Sequence, residues 1–131
     1  MNKPQSILIV DDDQNILLTI KDILSSEGFP VRVARNGHEG LESVRHEQPD
    51  LILLDLWMPS MNGQEMAQRL GDAGVSIPIL VMSAVQKGEH LASQMGAAGF
   101  IPKPFDIIRL LDEVERLLGN QSSDSSASLD K

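Results

Sequence analysis

Apolar side chains occur in two spacings along this chain, and the two spacings alternate. Residues 6–10, 31–34, 51–54, 77–82 and 100–101 form short, mainly aliphatic runs of strand length. Between them the period becomes helical. Ile16, Leu17, Ile20, Ile23 and Leu24 repeat ahead of Gly28, which reads as a stop, and Leu41 and Val44 follow Gly37. Met66 with Leu70, and Leu91 with Met95, mark two weaker helices, while Ile107, Leu111, Val114 and Leu118 form the clearest stripe. Five strands alternating with five helices predict a parallel sheet, because parallel strands need crossovers and right-handed crossovers put helices on both faces. The unbroken apolar character of the first, third and fourth runs fits burial from both sides.

An α/β sheet of this kind is expected to have the strand order 2-1-3-4-5, a flavodoxin-like (βα)5 arrangement. A chain of 131 residues is sufficient for one such domain, over residues 1–118. Residues 119–131, GNQSSDSSASLDK, have one leucine and no period, and read as a disordered tail or linker. Nothing recognisable as an output module follows the domain.

Charge and composition then narrow the function. With 11 basic and 19 acidic residues the net charge is −8, which argues against direct binding to nucleic acid or to an anionic membrane. There is no cysteine, hence no disulfide framework or thiolate chemistry, and no run long enough to span a membrane. The N-terminal MNKPQS lacks the apolar core of a signal peptide, so the expectation is a soluble cytoplasmic protein. The three histidines, His38, His46 and His90, share no ligand spacing and read as surface residues.

The polar residues that interrupt the strand pattern share one kind of position. Asp11, Asp12 and Asp13 follow the first strand, Asp55 the third, Ser83 the fourth and Lys103 the fifth. In an open α/β sheet the ligand crevice lies beyond the carboxyl ends of the strands where their order reverses, here between the first and third. Each residue has a plainer use: Asp12 or Asp13 fits a helix N-cap, Ser83 a turn, Lys103 a solvated loop. Six of them on one edge of the sheet make a site the better reading. Clustered carboxylates repel, so they raise a pKa or hold a cation, and hard oxygen ligands with open positions suit magnesium. An aspartate beside that ion, faced by a hydroxyl and an ammonium, has what a phosphoryl acceptor needs.

The ordered set ILIVDD, LLDLWMP, NG, VMSA and IPKPF resembles the response-regulator receiver domain of bacterial two-component signalling, over residues 5 to 118. The resemblance implies a phosphorylation-activated switch, not a metabolic enzyme, whose only catalysis is its own phosphorylation and dephosphorylation. It implies Asp55 as phosphoacceptor, Asp12 as a direct Mg2+ ligand and Asp11 as one acting mainly through water. The backbone carbonyl of Trp57 would be a further ligand, Asp13 none. Ser83 stands at the switch hydroxyl, Phe100 at the switch aromatic, and Lys103 at the family lysine, with a cis peptide before Pro104. The implied partners are a histidine kinase or phosphotransfer protein as donor, and a downstream protein or second copy on the face of the fourth helix, fifth strand and fifth helix. Trp57 and Val85 stand where the family's side chains flank the water that attacks the acyl phosphate.

The chain departs from the family pattern in three ways. Asn62-Gly63 replaces the commoner Asp-Gly, with the glycine expected to supply an unusual backbone angle. Phe100 lacks the hydroxyl of the usual tyrosine, and the expectation is that the chain carries no output module of its own. The alternative from another class is a small Mg2+-dependent phosphatase of the haloacid dehalogenase type, for which Asp11 and Asp13 offer an Asp-x-Asp pair. Its residue order is wrong and there is no cap insertion. A flavodoxin-like cofactor carrier fails because a flavin phosphate would meet three carboxylates.

Overall fold

The computed structural model describes residues 4–119. Five strands, β1 (Ile7–Val10), β2 (Val31–Ala34), β3 (Leu51–Asp55), β4 (Ile79–Ser83) and β5 (Gly99–Pro102), alternate with five helices. The helices are α1 (Gln14–Ser26), α2 (Gly37–His46), α3 (Gly63–Asp72), α4 (Gly88–Gln94) and α5 (Ile107–Leu118). All strand pairs are parallel and the order is β2-β1-β3-β4-β5, the predicted topology.

The alternation of side chains along each strand divides the core in two. Ile7, Ile9, Leu51, Leu53, Leu80 and Met82 point to one face, where Leu17, Ile20 and Leu24 of α1 and Leu110, Val114 and Leu118 of α5 cover them. Leu8, Val10, Ile52 and Leu54 point to the other, under Val44 of α2 and Met66 and Leu70 of α3. Val81 is covered on that side by Ala92 of α4. Every residue of β1 and β3 is buried, as their unbroken apolar runs require.

Several boundaries differ from the sequence reading for identifiable reasons. The first strand starts at Ile7 because Ser6 turns to Asp50, whose carboxylate accepts its amide at 2.8 Å. The fourth starts after Pro78, which has no amide to donate although its carbonyl accepts from Ile52. It runs on to include Ser83. α4 looked weak because its buried positions, Gly88 and Ala92, are small. His38, His46 and His90 are all exposed. Of the tail at 119–131, residues 120–131 lie outside the described residues.

The expectation for Gly63 is corrected. It is absent from the left-handed region; the residue with positive φ in this loop is Ser60, at 71°. Gly63 is needed for space. A Cβ there would collide with the backbone carbonyl oxygen of Asp55 and lie 3.1 Å from Cα of Leu56, while the Gly63 amide donates to the Leu56 carbonyl at 2.9 Å. The start of α3 is thus seated on the backbone that carries Asp55. Gly71, near the other end of the same helix, has open space where its Cβ would be.

The same substitution should therefore have opposite signs within one helix. Gly71→Ala should stabilise the domain by up to about 1 kcal/mol. Gly63→Ala should destabilise it by about 1–3 kcal/mol, since backbone cannot yield as a side-chain tip can. Urea unfolding of the two variants measures both, and equal effects would refute the close-approach argument.

Candidate functional site at the carboxyl edge of the sheet

The site is assembled by strand ends. β1 runs directly into Asp11, whose amide is held by the Ala34 carbonyl of β2 at 3.1 Å and whose side chain is fully buried. One of its carboxylate oxygens, Oδ1, accepts the Asp13 amide at 2.9 Å. Asp13 itself caps α1, its Oδ1 accepting the amides of Asn15 at 2.9 Å and Ile16 at 3.2 Å. The carboxylate of Asp13 is thereby committed to the helix, and the Asp-x-Asp pair that suggested a phosphatase has only one member at the site.

Asp55 is the last residue of β3 and Ser83 the last of β4, and both are buried. The Ser83 carbonyl accepts the amide of Lys103 at 2.9 Å, so the end of β4 fixes where that lysine leaves the sheet. Its ammonium then spans two strands, donating to Asp11 Oδ2 at 2.6 Å and Asp55 Oδ1 at 3.2 Å. The peptide between Lys103 and Pro104 is cis. Asp12 is exposed at the rim, and carboxylate oxygens of Asp11, Asp12 and Asp55 lie within 4.8 Å of one another. The structure thus brings together Asp11, Asp12, Asp55 and Lys103, with Ser83 on the neighbouring strand end.

Trp57 lies two residues beyond β3 with 68% of its surface exposed. Phe100 is half-buried on β5, packed into the small cluster under α4. Gly88 was missed in the sequence. It is buried against both Ser83 and Phe100, and the only sign of it was a glycine at the head of a weak helix.

Electrostatics follow from this geometry. Burial raises the Asp55 pKa and the charge of Asp11 adds to it; Lys103 opposes both, and the net value is pushed up to about 6. For Lys103 burial acts downward, but the hydrogen bond and charge of Asp11, then those of Asp55, outweigh it and hold the ammonium above its ordinary pKa. Three carboxylates facing one ammonium leave negative charge uncompensated. A hard divalent cation fits such an oxygen-rich, partly open set.

Comparison with known proteins agrees with this geometry. The family model for the response regulator receiver domain matches residues 7–115. The response regulator MprA of Mycolicibacterium vanbaalenii is 35% identical over 126 residues, covering 95% of this chain and 54% of that protein. MprA of Mycobacterium leprae is 37% identical over 123 residues, covering 92% of this chain and 54% of its own. The chain therefore spans about half the length of these curated relatives. Among solved structures, the receiver domain of NtrX from Brucella abortus superposes with a TM-score of 0.81 at 30% identity, covering 87% of this chain and 98% of that one. A CheY-like receiver domain protein from Methanospirillum hungatei gives 0.83 at 29% identity, over 93% and 99%. The phosphatase alternative finds no support among these relatives. A family match across nearly the whole described domain, on a sheet whose carboxyl edge gathers Asp11, Asp12, Asp55 and Lys103, shows that this chain belongs to the response regulator receiver domain family.

Proposed function

We propose that Asp55 accepts a phosphoryl group from a histidine kinase or phosphotransfer protein, and that the change this causes alters the domain's protein-binding surface. The observation that carries the reading is the Lys103 ammonium held between Asp11 and Asp55, with Asp12 at the rim. In the transfer a carboxylate oxygen of Asp55 bonds to phosphorus while the bond from phosphorus to the donor imidazole breaks, and the released imidazole takes up a proton. Lys103 is in place to meet a phosphoryl oxygen, and the Ser83 hydroxyl to donate to another. At neutral pH a carboxylate with a pKa near 6 is largely ionised yet more basic than an ordinary one, which suits a nucleophile.

Asp12 and Asp55, the backbone carbonyl of Trp57, and Asp11 through water would hold Mg2+. When bound, the ion would neutralise phosphoryl charge that the carboxylates otherwise repel. The self-catalysed part of the chemistry is confined to Asp55, and no metabolite is turned over. The signal would pass through Ser83 and Phe100 to the α4, β5 and α5 face, where a downstream protein or a second copy would bind. Arg116 supports this path, since it pairs with Glu113 at 2.7 Å and donates to the Ala98 carbonyl at 3.2 Å, tying α5 to the turn before β5. The strongly acidic, cysteine-free chain suits a cytoplasmic location away from nucleic acid and membrane, and no helix among the described residues is long and apolar enough to cross a membrane.

Acetyl phosphate with Mg2+ should add one phosphoryl group to Asp55 and change the fluorescence of Trp57, the single tryptophan. Mass spectrometry reads the first and titration the second. Absence of both, or a modification that survives Asp55→Asn, would overturn the proposal.

The raised pKa of Asp55 has a signed consequence for stability. The folded state binds this proton more tightly than the unfolded chain, whose value is near 3.8, so stability falls as pH rises from about 4 through 6. In metal-free buffer Asp55→Asn should be more stable than the wild type at pH 7.5 by about 1–3 kcal/mol, with the gap closing as pH drops through 6 toward 4. Urea denaturation across that range tests it, and a gap independent of pH would refute the electrostatic account.

Trp57 and Val85 should also make the phospho-form long-lived. Neither side chain accepts a hydrogen bond to orient an attacking water, and an indole is large enough to shield the phosphoryl group. Replacing Trp57→Asn together with Val85→Glu should speed loss of phosphate by about tenfold, or ~1.4 kcal/mol of barrier. Decay at the wild-type rate in the double variant would rule out shielding and leave Asp55 as acceptor untouched.

A further inference from the structure

Residues 84–87 alone join β4 to α4. The helix that follows is seven residues long, and its N-cap, Lys87, makes no side-chain cap hydrogen bond. Its first turn is held instead by contact and by a short relay. A Cβ placed on buried Gly88 would lie 2.9 Å from Cε1 and 3.1 Å from Cζ of Phe100, and 3.1 Å from Cβ of Ser83. The Val85 amide donates to the Ser83 hydroxyl oxygen at 3.1 Å, and the Gly88 amide donates to the Val85 carbonyl at 3.1 Å.

We propose that Gly88 is a positioning residue of the switch: its missing side chain lets the Phe100 ring and Ser83 pack directly against the start of α4, so that the ring can shift when Ser83 is drawn toward Asp55, and its amide carries the movement of Ser83 into α4. The inference rests on the phosphoacceptor reading and adds to it the element through which the hydroxyl reaches the helix. Ser83 is backbone-bonded within the sheet, so its Cβ yields little. The Phe100 ring is the far end of a side chain on the edge strand and yields first. Drawing the hydroxyl toward Asp55 withdraws the acceptor of the Val85 amide, and the loop that follows it ends on Gly88. A methyl group at position 88 overlaps the ring, pushes it outward and holds α4 in the unswitched arrangement, without contact to Asp55 or Lys103.

The test compares amide NMR shifts of the wild type and Gly88→Ala on adding Mg2+ and beryllofluoride, which mimics an acyl phosphate. In the wild type, shifts are expected both around residues 11–13 and 55–57 and across 89–101. In Gly88→Ala the first set should persist in full and the second should fall by half or more. Adding Phe100→Leu to Gly88→Ala removes the overlap and should recover the stability lost in Gly88→Ala, read by urea unfolding, without recovering the second set, since the switch aromatic is then absent. Equal shifts across 89–101 in wild type and Gly88→Ala would overturn the inference, as would failure of Phe100→Leu to recover the stability lost in Gly88→Ala. Should Gly88→Ala not fold alone, a folded double variant supports the ring contact, and an unfolded one overturns it. No shift around 11–13 and 55–57 in the wild type would overturn the phosphoacceptor reading itself, and this inference with it.

Discussion

Burial of the three central strands from both sides governs everything else in this molecule. Along β1 and β3, and over most of β4, neither face of the sheet is open to water, so a charged side chain within them would lose its hydration without recompense. Polar chemistry is pushed to the ends of the strands. At the carboxyl ends the backbone is still rigid while solvent and ligands have access, and there Asp11, Asp55 and Ser83 stand side by side. Rigidity and access are seldom available together; a loop would give only the second.

The electrostatic balance at that edge is deliberately incomplete in a physical sense. Asp11 is fully buried, yet it is well supported, receiving the Asp13 amide and the Lys103 ammonium. Asp55 receives only the longer of the two lysine contacts and has Asp11 and Asp12 as neighbours. Burial and the charge of Asp11 raise the pKa of Asp55, while Asp11 makes the closer contact to the lysine. A domain selected for stability alone would replace one of these carboxylates. Keeping all three leaves a site that gains from a cation or a change of charge, the usual form of conflict between function and stability.

The two sides of the sheet are built to different tolerances around this edge. Under α2 and α3, Met61 and Met66 fill the space against Gly37 and Gly40 so closely that a Cβ on either glycine would lie within 2.8 Å of a methionine atom. That side is closely packed. Under α4 the helix is short and the fully buried cluster is smaller, Leu56, Val81 and Ala92, with Val85, Leu91, Met95 and Phe100 partly buried against it.

The strands, their parallel arrangement and the edge on which the polar residues gather were legible in the sequence. These features depend on local periodicity, and an apolar run that ends in an aspartate marks its own boundary. Asp11, Asp55, Ser83 and Lys103 could be singled out for that reason. Other features were decided only by tertiary structure. Which of Asp12 and Asp13 would cap α1 was open until the amides of Asn15 and Ile16 were seen to point at Asp13. That Lys103 bonds to Asp11 more closely than to Asp55 depends on how strands 92 and 48 residues apart are laid side by side. Gly63 and Gly88 matter through the atoms that a side chain would strike, Asp55 in one case, Phe100 and Ser83 in the other. Periodicity reports what a segment buries; close approach between segments distant in the chain is set by packing, and no local pattern encodes it.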